Sequence, residues 1–176
     1  MQAQIIQFPK IVDERGNLSF FEGCNHIPFE IKRCYWIYDV PGGEKRGEYA
    51  FNQQEQVIIA LSGSFDVVVD NGEETQTFSL NRSYYGVYLP AKHWRYLHNF
   101  STNAVALILC STHYDANDYI RDISHFKEKT FNLSNGIQNT NIVEQKNIDT
   151  NISGEISTIN QCQLVYLDKN HRVKGN

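Results

Sequence analysis

Two short stretches of the sequence place side chains that can carry protons near a side chain that can bind anions. The first, KRGEYAFNQQEQVIIALSG, contains Tyr49 and Glu55, and the second, PAKHWRYLHN, contains His93 and Arg95. A phenol, a carboxylate and an imidazole can each serve as a general acid or base in suitable surroundings. Tyr49, Glu55 and His93 are therefore the candidate catalytic residues.

Each candidate also has a purely structural interpretation. Tyr49 can fill the protein interior as an aromatic core residue. Glu55 lies among glutamines and can equally be a paired or exposed carboxylate. His93 shares strand parity with Arg95, which favours a displaced base, but a lone histidine is more often structural. The sequence leaves these alternatives open.

Three arginines and a tyrosine are candidates for binding a substrate. Arg33 and Arg46 suit a diphosphate or a sugar, because a guanidinium donates paired hydrogen bonds; ion pairs that hold a dimer are the alternative. Arg95 can bind a sugar hydroxyl or keto oxygen, or pair with Glu55. Tyr35 belongs to an alternating aromatic run that can stack on a base or pack in the core.

Short apolar or alternating runs, separated by turn sequences, carry these residues. The runs continue to about residue 110 with no long helical pattern between them, which is typical of a sandwich or closed barrel. The Asp-Asn-Gly at 70–72 indicates a hairpin. Strand alternation places Tyr49 and Phe51 on one face. The sequence predicts an all-β core whose aromatic wall faces Arg95 when both strands point inward.

One segment after the strands has helical spacing. In DANDYIRDISHFKEK, Ile120, Ile123 and Phe126 keep roughly helical spacing, and Asp115 or Asn117 can cap the start. We expect one C-terminal helix near 116–129.

The remainder of the chain changes in composition. Residues 131–176 are rich in Asn, Ser, Thr and Ile, which predicts a linker or irregular extension to a domain at 1–130. The terminal YLDKNHRVKGN faintly echoes the earlier YDVPGGEKRGEY. The extension could therefore also be the start of a second, similar unit.

Charge and hydropathy exclude several classes of partner. The formal net charge is -4 and the pI about 5.8, so neither nucleic acid nor an anionic membrane is an expected partner. No apolar run approaches the ~20 residues of a membrane span, and the N-terminus lacks the apolar region of a signal peptide.

The spacing of the two stretches resembles the paired motifs of the cupin superfamily. The positions of the three motif histidines hold Tyr49, Phe51 and Arg95, while the motif glutamate corresponds to Glu55. A transition metal needs three or four N, O or S donors. We therefore expect a cupin (jelly-roll) barrel with neither a metal nor another cofactor.

A closer resemblance covers most of residues 5–127. It runs through DERGNLSFFE, IPFEIKRCYWIYDVPGGEKRG, EQVIIALSGSFDVVVDNG, YGVYLPAKHWRYLHNFS and STHYDANDYIRD. These segments look like the nucleotide-sugar 3,4-ketoisomerases, metal-free cupins that act on dTDP-4-oxo-6-deoxyglucose. The resemblance implies a homodimer with an exchanged N-terminal strand, a dTDP-sugar in the barrel mouth, and a cytoplasmic role in O-antigen or other cell-surface polysaccharide synthesis.

The chain departs from this family at the chemistry. The family motif RG-x-H-x-H reads RGEYAF here, so Tyr49 and Phe51 replace both histidines. Two hypotheses follow. The protein is a 3,4-ketoisomerase with a rearranged acid–base set, or it is a catalytically degenerate cupin that binds nucleotide-sugar or pathway partners.

Overall fold

The computed structural model describes residues 1–131 of the 176-residue chain. Its strands, in chain order, are β1 (Gln4–Gln7), β2 (Lys10–Ile11), β3 (Leu18–Ser19), β4 (Arg33–Ile37), β5 (Arg46–Phe51), β6 (Gln56–Ser62), β7 (Phe65–Asp70), β8 (Thr75–Leu80), β9 (Tyr85–Leu89), β10 (Trp94–His98), β11 (Val105–Cys110) and β12 (Tyr119–Ile120). The interpretation of 131–176 as an extension or second unit lies, apart from residue 131, outside the described residues.

Two five-stranded sheets form the domain, in the orders β1-β9-β6-β11-β4 and β12-β5-β10-β7-β8. All of their strand pairs are antiparallel. The sheets are not closed into one continuous barrel. The all-β, cupin-like prediction is confirmed, and the form that it takes is an open two-sheet sandwich.

The main core lies between the sheets. Alternate residues of β6 and β11 pack there against alternate residues of β7 and β10, as Ile58, Ile108, Val67 and Leu97 show. The other face of β6, with Val57 and Ile59, is also buried. A strand buried on both faces explains why the sequence of β6 reads as a continuous apolar run rather than an alternating one.

The turn predicted at 70–72 is confirmed. It connects β7 to β8, with Asp70 paired to Thr75, and Gly72 has φ +95°. The Asp70 carboxylate accepts a hydrogen bond from the amide of Gly72, and the Asn71 side chain accepts from Glu73. These side chains satisfy the turn amides, as expected of Asx turns.

The predicted helix begins later than the sequence indicated. Helix α1 covers 123–131 of the described chain, whereas Ala116–Asp118 is a single 3-10 turn followed by β12. The reason is Asp118, whose carboxylate accepts hydrogen bonds from the amides of Gln53 and Gln54 and ties the segment to the end of β5. The helix is capped instead by Asp122, which accepts from the amide of Ser124.

Within the described part of the chain, no helix combines the length and the hydropathy required to cross a membrane.

Candidate functional site

A buried arginine joins the two sheets at one end of the sandwich. Arg95 on β10 is only 1% exposed. Its Nε donates to Gln56 Oε1 on β6 at 3.2 Å, its Nη2 lies 3.1 Å from the same oxygen, and its Nη1 donates to the carbonyl of Gly47 at 2.8 Å. Nη2 also donates to the hydroxyls of Tyr35 (3.2 Å) and Tyr49 (2.7 Å). We call Arg95, Gln56, Tyr35 and Tyr49 the tyrosine–arginine network.

A β-bulge makes room for the guanidinium. Arg95 pairs with Tyr49 but Leu97 pairs with Arg46, so β5 carries one extra residue between these pairs. Gly47 lies in the bulge with φ +72°, and a Cβ there would collide with Arg95 Nη1. Bulges of this kind re-aim neighbouring side chains and occur often beside active sites. Here the glycine lets the backbone approach Arg95 closely.

Tyr49 lies on top of the network and among aromatic rings. Its ring stacks against the Arg95 guanidinium at 4.1 Å, and it contacts the rings of Phe51 and Tyr119 at 5.2 and 4.9 Å. The Tyr35 and Tyr49 hydroxyls are 3.3 Å apart. Tyr49 is half-buried, unlike the fully buried Arg95. Tyr35 is half-buried as well, so the two tyrosines are the members of the network that reach towards solvent.

Arg33 borders the same end of the sandwich. Its guanidinium lies over the rings of Tyr35 and Tyr114 at 5.4 and 5.3 Å and donates to Gln54 Oε1 at 2.9 Å. A cavity of about 530 Å³ adjoins Tyr114 and Thr112. This volume falls within the range of small-molecule sites.

Glu55 does not join this group. It precedes β6 and its carboxylate accepts a hydrogen bond from Tyr88 at 2.6 Å, on the side of the sheet opposite the main core. The inward residue is Gln56, one position later. The alternative pairing of Arg95 with Glu55 is therefore wrong.

Replacing Glu55 should affect stability rather than chemistry. In Glu55→Gln the hydrogen bond from Tyr88 loses its charged acceptor, which should lower the free energy of unfolding by about 1 kcal/mol. Thermal melting measures this loss. A hundredfold fall in turnover with an intact fold would contradict the placement of Glu55 away from the site.

His93 also lies apart from the network. Its Nδ1 is 3.0 Å from the carbonyl oxygen of Ala91, and the side chain lines a small cleft with Asn71 and Gln76 beside the β7–β8 turn. Burial lowers the pKa of His93 from its ordinary value of 6.5, although the Ala91 carbonyl opposes this. The folded protein therefore favours the neutral imidazole.

This pKa shift predicts a stability that depends on pH. Below pH 6.5 the unfolded chain binds a proton at His93 more readily than the folded chain, so acidification favours unfolding. This contribution is complete above pH 6.5 and is lost as pH falls through the folded pKa. Thermal melts at pH 5 and pH 8 should show a smaller acid-induced loss for His93→Gln than for the wild type. An equal loss in both would contradict the prediction.

The remaining predicted ligand, Arg46, is exposed at the start of β5 and is not part of the network. Among residues 1–131, no group of three or more His, Cys, Asp or Glu side chains could hold a metal ion. Within those residues no carboxylate forms an ion pair with Arg95 either. The Arg95 guanidinium instead donates its hydrogen bonds to neutral acceptors.

The arrangement is suited to proton exchange at Tyr49. Burial, reinforced by the neighbouring Tyr49, raises the pKa of Tyr35 far above its ordinary value of 10, although Arg95 opposes the shift. Tyr35 therefore keeps its proton. Both Tyr35 and Arg95 lie within hydrogen-bond distance of the Tyr49 oxygen, where negative charge develops when that phenol gives up its proton.

Sequence reasoning missed Gln56, Tyr114 and Tyr119. Gln56 is a neutral amide and did not suggest a catalytic role. It lies two residues before Ile58 on the same strand, and this spacing could have identified it as inward-facing. Tyr119 fell inside the segment predicted as helical, whereas it pairs with Phe51 as a short strand.

The comparisons with known proteins agree on one group. Over residues 1–130 the sequence matches the family described as FdtA: WxcM-like, C-terminal. It is 41% identical over 128 residues to the TDP-4-oxo-6-deoxy-alpha-D-glucose-3,4-oxoisomerase of Aneurinibacillus thermoaerophilus, which covers 73% of this chain and 92% of the relative.

Solved structures with the same fold include two 3,4-ketoisomerases. The enzyme from Helicobacter canadensis superposes with a TM-score of 0.72 at 38% identity, over 74% of this chain and 98% of that chain. A histidine-to-asparagine mutant of the enzyme from Thermoanaerobacterium thermosaccharolyticum, in complex with TDP-4-keto-6-deoxyglucose, has a TM-score of 0.72 at 33% identity, over 73% and 94%.

The fold and the site thus define a cupin-like protein with a polar and aromatic site at one end of its sandwich. The chain belongs to the FdtA, WxcM-like C-terminal family.

Proposed function

We propose that the protein is a metal-free 3,4-ketoisomerase of a TDP-linked 4-keto-6-deoxy sugar, with Tyr49 as its acid–base residue. The observation that carries the proposal is the pair of groups that meet at the Tyr49 oxygen, Arg95 Nη2 at 2.7 Å and the Tyr35 hydroxyl at 3.3 Å. The relatives at 33–41% identity supply the substrate class, since their names specify TDP-4-oxo-6-deoxyglucose or its 3,4-isomerisation.

A single phenol can supply and accept every proton that moves in this reaction. In the first half, Tyr49 gives its proton to the C4 keto oxygen and takes the proton that leaves C3, while the C3–H electron pair forms the C3=C4 bond of an enediol. In the second half, Tyr49 gives a proton to C4 and takes one from the C3 hydroxyl, so that a C3 ketone forms. Substrate and product are isomers, and no oxidant or reductant is needed.

Binding of the nucleotide-sugar falls to the residues around Tyr49. We assign Arg33 to the diphosphate, because its guanidinium lies over the rings of Tyr35 and Tyr114, and Tyr114 lines the 530 Å³ cavity. The tyrosine rings offer flat surfaces for the sugar and the base. Arg46 is exposed and lies close to Tyr49 in the sequence, and it is proposed as a further ligand of the nucleotide-sugar.

Assembly as a homodimer with exchanged N-terminal strands is part of the proposal. Within residues 1–131, β1 forms one edge of its sheet and pairs with β9 alone, from Gln4 opposite Tyr88 to Gln7 opposite Tyr85. The same register can be made with the β9 of a second copy. Light scattering should then give twice the monomer mass, and the monomer mass after deletion of β1.

The cellular setting and domain boundary follow from the same proposal. We place the enzyme in the cytoplasm, in synthesis of sugars for cell-surface polysaccharides, with residues 1–130 as the catalytic domain and 131–176 as an extension.

Incubation of the full chain with TDP-4-keto-6-deoxyglucose in D2O tests the function. We expect deuterium at the sugar carbons that exchange protons and a 3-keto product, both visible by NMR. Binding of the TDP-sugar with neither exchange nor product would overturn the proposal in favour of a degenerate binding protein, which the replacement of both motif histidines by Tyr49 and Phe51 would then explain.

A further inference from the structure

Arg95 Nη2 lies near three acceptor oxygens but carries two hydrogens. We therefore assign Nε to Gln56 Oε1 and the two Nη2 hydrogens to the Tyr35 and Tyr49 hydroxyls. The Arg95 guanidinium is a donor only. The Gln56 atom that faces its Nε and Nη2, at 3.2 and 3.1 Å, must therefore be the amide oxygen. This fixes the other end of the amide, so Gln56 Nε2 is directed at the Tyr35 hydroxyl at 3.3 Å and at the Cys110 sulfur at 3.7 Å.

The Tyr35 hydroxyl accordingly has both acceptor positions filled. It receives one hydrogen bond from Gln56 Nε2 and another from Arg95 Nη2 at 3.2 Å. A phenol has a single hydrogen to donate. The remaining neighbour of this hydroxyl is Tyr49 Oη at 3.3 Å, so the Tyr35 hydrogen points at Tyr49.

Counting the donors and acceptors around Tyr49 in the same way leaves its hydroxyl hydrogen without an acceptor in the network. Its oxygen accepts from Arg95 Nη2 at 2.7 Å and from Tyr35. Two acceptor positions are then used, and the Tyr49 O–H must turn away from the network. Tyr49 is half-buried, as is Tyr35, whereas Arg95 and Gln56 are 1% and 2% exposed.

We propose that Gln56 is a positioning residue that sets the direction of this hydrogen-bond chain, so that Tyr49 presents its proton to the substrate. The inference rests on the proposed function of Tyr49. Gln56 touches no substrate atom in this scheme. It acts through Tyr35, whose raised pKa keeps the relaying hydrogen in place.

The decisive variant is Gln56→Glu. A carboxylate of the same shape still accepts from Arg95, but it cannot donate to Tyr35. The Tyr35 hydroxyl can then turn to the carboxylate instead of Tyr49. We expect kcat to fall about tenfold, the value of one hydrogen bond to the reacting group, with an unchanged Kd for TDP.

A second variant keeps the proposal testable if Gln56→Glu does not fold. Tyr35→Phe removes only the hydroxyl that relays the hydrogen, and it should lower kcat by a similar factor. The double variant should be no slower than Tyr35→Phe alone, because both changes remove the same hydrogen bond. If the fall in kcat of the double variant equals the product of the falls in the two single variants, the proposal is overturned. Wild-type turnover in a folded Tyr35→Phe would also overturn it.

Raman spectroscopy supplies a readout that does not depend on turnover. The tyrosine Fermi doublet reports whether a phenol donates or accepts hydrogen bonds, and subtraction of a Tyr49→Phe spectrum isolates the Tyr49 signal. We expect this signal to change in Gln56→Glu and to stay constant in Gln7→Glu, the same substitution at an exposed site on β1. An unchanged Tyr49 signal in Gln56→Glu would overturn the proposal.

The two proposals fail in different ways. If the wild type binds the TDP-sugar without isomerising it but the Raman change is present, the proposed function fails and the role of Gln56 in the network stands. If the wild type isomerises the sugar and Gln56→Glu retains full kcat, the function stands and the role of Gln56 fails.

Discussion

Tyr49→Phe should abolish most of the isomerase activity while leaving the fold and nucleotide binding in place. The substitution removes one hydroxyl and keeps the ring that contacts Phe51, Tyr119 and the Arg95 guanidinium. Because the other hydroxyl of the network has its proton committed to Tyr49, kcat should fall about 10²- to 10⁴-fold, the usual contribution of general acid–base catalysis. NMR of the sugar in D2O measures both turnover and proton exchange.

The matched control for this variant is Tyr96→Phe. Tyr96 is on the same strand as Arg95 but on the opposite face, where its ring contacts His98 and the ammonium of Lys45. Loss of its hydroxyl should leave kcat within about twofold of the wild type, and calorimetry should give the same Kd for TDP in both variants. Turnover by Tyr49→Phe at the rate of the control would exclude Tyr49 as the proton carrier.

Gly47→Ala should disrupt both the fold and the tyrosine–arginine network. Its Cβ would occupy the position of Arg95 Nη1, and the backbone has φ +72°, where a side chain is strained. Displacement of the guanidinium breaks its bond to the Gly47 carbonyl and disturbs those to Tyr35 and Tyr49. We expect a loss of about 2–5 kcal/mol in the free energy of unfolding from strain and overpacking together.

Gly43→Ala separates these two causes. Gly43 has a similar φ of +85°, but a Cβ there would meet nothing within 4 Å. It should therefore show only the backbone strain, about 1–2 kcal/mol, which corresponds to a few degrees in Tm for a chain of this size. Equal losses of Tm and turnover in the two variants would mean that the close approach of Gly47 to Arg95 has no energetic consequence.

The sequence predicts the strands well because each of them carries its own local signal. Alternation in β5 and β10 places Tyr49 and Arg95 on inward faces, and the structure pairs these two residues directly. The turn at 70–72 is equally local, since Asp70 and Gly72 satisfy their own backbone.

What the sequence does not predict depends on contacts between distant segments. The helix start moved because Asp118 bonds to the amides of Gln53 and Gln54, some 65 residues earlier. Gln56 was missed for a related reason. A neutral amide gains a role only when Arg95 and Tyr35, on other strands, fix which of its ends donates.

A crystal structure of the protein with TDP-4-keto-6-deoxyglucose tests the central claim most directly. The claim is that the Tyr49 hydroxyl exchanges protons with the sugar. The Tyr49 oxygen should then lie about 3–3.5 Å from C3 or from the C4 keto oxygen, with Arg95 and Tyr35 still bonded to it. A sugar ring bound with C3 and C4 out of reach of Tyr49, or presented to another acid or base, would contradict the account.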